Sequence, residues 1–119
     1  MSLVARHLEA NGLPTVIVGS ARDVVEHCGV PRLLFTDLPL GNPCGPPWRR
    51  DIQRAVVAQA IGLLATADRP RTTVRAPVEW EDVAWRSRYG RVTDADREKL
   101  RAAGEERRLR QLAAKEIPR

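Results

Sequence analysis

Leu3, Val4, His7 and Leu8 recur at the spacing of one helical face, and Asn11-Gly12 follows as a stop signal, so the pattern predicts a short amphipathic helix over Ser2–Ala10. Pro14 blocks its continuation. The β-branched run Thr15-Val16-Ile17-Val18 predicts a short buried strand, with Gly19-Ser20 as the turn after it. Ser20 and Asp23 have capping-box spacing, predicting a helix that carries Val24, Val25 and Cys28 before Gly29 ends it. Arg32-Leu33-Leu34-Phe35 is the next predicted strand. Strand, helix and strand within ~20 residues is the βαβ rhythm, so these two strands are expected to be parallel neighbours.

Five of the nine prolines lie from Pro31 to Pro47, and the segment from Asp37 to Pro47 is therefore read as a stiff loop. Beyond it Ile52, Val56, Ala60, Leu63, Leu64 and Ala67 share one helical face, predicting a helix over Trp48–Ala67. Thr72–Arg75 reads as a third, short strand. Pro77–Tyr89 carries Trp80, Trp85 and Tyr89 among acids and arginines, a composition suited to an irregular segment that pins its rings onto another surface. Thr93 and Asp96 repeat the capping-box spacing and open a helix to about Lys115, interrupted by Gly104, with a thin stripe of Leu100, Ala103, Leu109 and Leu112.

These elements predict an α/β fold, a Rossmann-like three-layer fragment with a short parallel sheet, plus an extended C-terminal helix. Residues 1–76 form the α/β domain in this reading, and residues 77–119 form a docking extension. Two or three strands are few for a parallel sheet, which is buried on both faces. The expectation is that another chain supplies neighbouring structure.

Composition narrows the classes. The 119 residues amount to one small domain, and no apolar run approaches the ~20 residues of a membrane span. The N-terminus lacks the pattern of a secretory signal, so the expected compartment is the cytoplasm, without membrane association. A net charge of +5 is spread along the chain and names no partner. Cys28 and Cys44 are too few for a disulfide scaffold and read as free thiols. With no C-x-x-C and only His7 and His27 to assist, neither a metal site nor a cofactor is expected.

Ligands of parallel sheets collect at the carboxyl ends of the strands, where two loops are expected to share a crevice. In the first, Ser20 and Arg22 are offered to an anionic group; the alternative is that Ser20 only caps its helix and Arg22 is solvated. The second runs from Thr36-Asp37 into the proline-rich loop, where Gly41 allows close backbone approach and Asn42 offers an amide. Asp37, Gly41 and Asn42 join Ser20 and Arg22 as candidate substrate-binding residues, the alternative being a rigid connection that only satisfies itself. Cys44 is the candidate catalytic residue, because a thiolate is a strong nucleophile, although no His or second Cys lies near it in sequence. It otherwise has a redox role or is merely a small loop residue.

The strings Leu8-Glu-Ala-Asn-Gly-Leu-Pro-Thr-Val16, Gly29-Val-Pro-Arg-Leu33 and Pro39-Leu-Gly-Asn-Pro43, with Gly45 and a long helix after them, resemble the C-terminal part of the selenoprotein B component of the glycine, sarcosine, betaine and D-proline reductase family. The likeness covers about residues 3 to 67, and the Arg71–Val74 and Trp80 stretch is similar to that of shorter reductase-like relatives. The resemblance implies a Rossmann-like fold and thiol- or selenol-dependent reductive chemistry. In that family a selenocysteine, or a cysteine in its place, attacks a substrate carbon, displaces an amine-type leaving group and is later reduced by thiols. That nucleophile lies upstream of the matched region, so the expectation is a split enzyme. This chain would be the small subunit, acting on a small, amino-acid-like molecule, with a partner subunit bringing the remaining sheet and the reactive Cys or selenocysteine.

A non-catalytic assembly or binding module that docks on a larger protein is the alternative. Nucleic-acid binding ranks below both. In the tail Arg97, Lys99, Arg101, Arg107, Arg108, Arg110, Lys115 and Arg119 alternate with Asp94, Asp96, Glu98, Glu105, Glu106 and Glu116, the pattern of a salt-bridged, solvated helix.

Overall fold

The computed structural model describes residues 1–115; Glu116 and Arg119 of the tail lie outside them. In chain order the elements are α1 (Ser2–Ala10), β1 (Ile17–Gly19), α2 (Arg22–His27), β2 (Arg32–Phe35), α3 (Arg50–Thr66), β3 (Thr72–Arg75), α4 (Trp85–Arg88) and α5 (Asp94–Lys115). They group into two compact units, one spanning Met1–Arg86 and one beginning at Ser87.

The first unit is built on a parallel sheet of order β1-β2-β3. Register pairs Val18 with Leu34 and Leu34 with Val74 along one face, and Ile17 with Leu33 and Leu33 with Thr73 along the other. Helix α3 covers the first face: Val56, Ala60 and Leu63 cluster with Leu34 and Ala76, and Val18 and Val74 pack against them. Burying a Val or Leu side chain contributes roughly 1.5–3 kcal/mol, so this layer carries much of the unit's stability. Helix α2 covers the opposite face, where the Thr73 hydroxyl donates to Glu26 Oε1 (2.8 Å) and the Arg22 guanidinium lies 6.0 Å from the Phe35 ring centroid. The result is the expected three-layer α/β arrangement. Strand order advances in one direction while α2 and α3 lie on opposite faces, so the two crossovers have opposite hands, a departure from the strong right-handed preference. The second crossover is the one that passes through the proline-rich loop.

Several local expectations are corrected by tertiary partners. Strand β1 starts at Ile17 instead of Thr15, because Thr15 is drawn back toward α1: its N–H donates to Glu9 Oε2 (2.8 Å), and its hydroxyl lies 3.1 Å from both that oxygen and the Ala5 carbonyl. Glu9 also pairs with Arg32 of β2 (2.7 Å). This polar clamp sets the rotation of α1, so Ala5 is buried while Leu3 and Val4 of the expected apolar face are exposed. On α2, Val24 is likewise exposed. Ser20 does not cap α2; Ala21 occupies the N-cap position, and the Ser20 hydroxyl lies 3.4 Å from that of Thr36. Helix α3 begins at Arg50 instead of Trp48, since Trp48 takes a left-handed φ of 65° that no right-handed helix accommodates.

In the second unit α5 opens on the expected capping box. The Thr93 N–H donates to Asp96 Oδ2 (3.2 Å) and the Asp96 N–H donates to Thr93 Oγ1 (3.3 Å). The helix runs through Gly104 without the expected interruption, the roughly 1 kcal/mol cost of glycine being spread over a long helix rich in Ala, Glu and Arg. Arg97 pairs with Asp94 (3.5 Å) and Arg110 with Glu106, while Leu100, Leu109 and Leu112 are exposed.

Candidate functional site at the carboxyl edge of the sheet

The strands end side by side, and their exits are laced together. The Thr36 N–H donates to the Gly19 carbonyl (3.0 Å), the Leu38 N–H to the Thr36 carbonyl (2.9 Å) and the Ala76 N–H to the Phe35 carbonyl (2.9 Å). Thr36 is fully buried, and its hydroxyl faces that of Ser20. One residue on, Asp37 Oδ2 accepts a hydrogen bond from Arg75 Nη2 at the end of β3 (2.9 Å) and forms an ion pair with Arg86 Nη2 (2.6 Å). The Arg86 guanidinium stacks 4.9 Å from the Trp85 ring centroid, within cation–π range. Asp37, Arg75, Glu79 and Arg86 line a cavity of about 140 Å³, closed on its apolar side by Val78, Trp80, Val83 and Trp85.

The remaining candidate residues separate from this cluster in different ways. Arg22 turns back onto its own helix, pairing with Glu26 (3.0 Å) beside Phe35. Hydrogen bonds from Thr73 first, and then from Arg22, hold the Glu26 carboxyl below the usual glutamate range. Gly41, Asn42 and Cys44 lie in the loop that leaves Asp37, and no hydrogen bond joins them to Ser20 or Asp37 among the described residues. That loop folds on itself: the Asn42 N–H donates to the Pro39 carbonyl (3.1 Å) and the Gly45 N–H to the Asn42 carbonyl (3.1 Å). Gln53 Nε2 of α3 anchors it through the Pro46 carbonyl (3.0 Å). The Asn42 side chain is half-buried, and its amide bonds no other described residue. Cys44 is a half-buried free thiol.

Arg75, Arg86, Trp80 and Trp85 were not among the residues assigned to the site from sequence. Arg75 ends a predicted strand and is register-paired with Phe35, two residues before Asp37, so the parallel pairing itself carries the signal. Nothing local in the chain ties Arg86 to Asp37. Among the described residues no group of His, Cys, Asp and Glu side chains could hold a metal ion, and no helix is long and apolar enough to cross a membrane.

Fold and site together define a small three-layer α/β module with a carboxylate held between two arginines where a parallel sheet presents ligands. Over 78 residues, 66% of this chain, it is 28% identical to D-proline reductase subunit gamma of Acetoanaerobium sticklandii. The chain is thus distantly related to that reductase family, and the match spans 32% of the length of the curated relative. No protein-family model matches the chain, and neither does any solved structure.

Proposed function

We propose that this chain is the small subunit of a heteromeric, thiol- or selenol-dependent reductase of the selenoprotein B-like kind, acting in the cytoplasm on a small, amino-acid-like substrate. The observation that carries the reading is the carboxyl-edge cluster of Ser20, Thr36, Asp37, Arg75 and Arg86 on a sheet related to a reductase subunit. In this reading the chain forms one wall of the crevice. Asp37 holds Arg75 and Arg86 through one Nη2 each, their remaining N–H groups read the substrate carboxylate, Gly41 and Asn42 shape the rim, and Cys44 is a resolving thiol or a small rim residue. Arg22 serves α2 and the Phe35 face, as its contacts favour. The reactive Cys or selenocysteine, and the strands that complete the sheet, come from the partner subunit. Residues 77–119 act as a docking extension.

Co-purification from the native source, with identification of the accompanying polypeptide, tests the reading. The complex is expected to reduce a small amino acid, D-proline being the first to try, with a dithiol as electron donor. Asn42→Ala is expected to lower that activity by roughly tenfold or more with the complex intact, as misplacement of a positioning group does. A complex that forms but is indifferent to Asn42→Ala, and carries no reactive Cys or selenocysteine, would support the assembly-module reading instead. That second reading is favoured by one observation, the exposed apolar side chains of Leu40, Trp48, Val57 and Ile61 in and after the loop.

A further inference from the structure

Helix α3 is apolar on two sides. Val56, Ala60 and Leu63 face the sheet, yet Val57 and Ile61 on the outer side are 46% and 62% exposed. The outer side is shallow and open. It holds a groove of about 390 Å³ lined by Arg50, Gln53, Arg54, Val57, Ala58 and Ile61. These six residues are two parallel rows at i, i+4 spacing: Arg50-Arg54-Ala58 on one side and Gln53-Val57-Ile61 on the other. A groove between two such ridges is the shape into which a ridge of another α-helix packs.

The charges around the groove indicate what that helix carries. Arg50 and Arg54 make no ion pair among the described residues. Asp51 in the first turn of α3 and Glu81 are already engaged, since Arg49 pairs with both, with Asp51 at 3.1 Å. Two unpaired guanidinium groups therefore border one side of an apolar floor, and the same face of a second copy would offer them no carboxylate among its lining residues. We infer that the outer groove of α3 is a docking site for an amphipathic helix of a partner polypeptide, with its apolar ridge between Val57, Ala58 and Ile61 and carboxylates opposite Arg50 and Arg54. The inference rests on the subunit reading for the existence of a partner, but the two fail separately, because a peptide assay addresses the groove alone and co-purification addresses the subunit.

The test titrates the full chain into a labelled synthetic helix whose Ala/Leu stripe is bordered by Glu, and into the same helix bordered by Lys, reading fluorescence anisotropy. The Glu helix is expected to bind roughly tenfold or more tightly than the Lys helix, as rim charges discriminate between partners. Ile61→Glu, at an exposed position, is expected to abolish binding with an unchanged circular dichroism spectrum. Arg50→Glu with Arg54→Glu is expected to reverse the preference toward the Lys helix, whereas the same net change made by Arg101→Glu with Arg108→Glu on α5 leaves it in place. Equal binding of both helices, absence of binding to the Glu helix, or indifference to Ile61→Glu would overturn the assignment. So would sedimentation showing a dimer of the chain alone that Ile61→Glu dissociates, since the occupant would then be a second copy.

Discussion

Gly41 and Gly45 both hold left-handed φ values, 94° and 114°, yet they answer to different constraints. A Cβ at Gly41 meets nothing within 4 Å, whereas one at Gly45 would stand 2.8 Å from Ile52 Cγ2 on the face of α3 that packs against the core. Gly41→Ala is expected to cost only the backbone term, about 1–2 kcal/mol. Gly45→Ala adds overpacking and is expected to cost about 2–4 kcal/mol, the difference being read by urea denaturation of the two variants. Trp48 is the converse case, a bulky residue at φ 65° that is 92% exposed. Its backbone is strained and its indole loses no packing when removed, so Trp48→Gly is expected to stabilise the chain by about 0.5–1 kcal/mol in the same assay. Unchanged stability would show that the Pro46-Pro47 turn holds this conformation without strain. Strain kept at an exposed aromatic fits a residue retained for contact with something outside the chain.

The elements were legible in proportion to how local their causes are. Helix α3, the strand Arg32–Phe35 and the capping box at Thr93 and Asp96 depend on periodicity or on neighbours three residues apart, and they stand as the sequence predicts apart from the start of α3. The same capping-box spacing at Ser20 and Asp23 failed, because Thr36, sixteen residues away, offers the Ser20 hydroxyl a partner across the sheet edge. Half of the site was legible on the same terms: Ser20 and Asp37 follow predicted strands, while Arg86 reaches Asp37 through a fold contact with no spacing rule. The rotation of α1 escaped for a similar reason, since it follows Glu9 and its bonds to Arg32 and Thr15 and not the Leu3-Val4 stripe. Hydrogen bonding from Arg32, ahead of the opposing effect of desolvation, holds the Glu9 carboxyl below its ordinary value of 4.5. A carboxyl lowered in the folded state binds fewer protons there than in the unfolded chain. Its contribution is therefore complete above pH 4.5 and is lost as pH falls through the lowered folded value. Glu9→Gln is expected to lower stability at pH 7 by about 1–2 kcal/mol, and to flatten the acid limb of stability against pH in thermal denaturation from pH 7 to 3.

At the scale of the whole sheet unit, Asp37 joins three parts of the chain: the exit of β2, the end of β3 through Arg75, and the aromatic segment through Arg86. Two cations share this one carboxylate at the sheet's ligand edge, and both are half-exposed or more, at 65% and 50%. Pairs so exposed contribute about 0–1 kcal/mol each, so their arrangement is poorly explained by stability alone. Asp37→Ala is accordingly expected to cost no more than about 1–2 kcal/mol and to leave Arg75 and Arg86 facing an open position the size of a carboxylate. If these guanidiniums are poised to read a carboxylate, that position becomes a binding site. Acetate or a small amino acid is then expected to raise the melting temperature of Asp37→Ala relative to chloride at equal ionic strength, while giving no such difference with Asp37→Ala carrying Arg75→Ala and Arg86→Ala. Chloride and acetate acting alike on Asp37→Ala would assign the cluster a purely structural part, tying the aromatic segment to the sheet. It would also remove the guanidinium pair from the proposed substrate wall, leaving the loop around Asn42 as the part of this chain that meets the substrate.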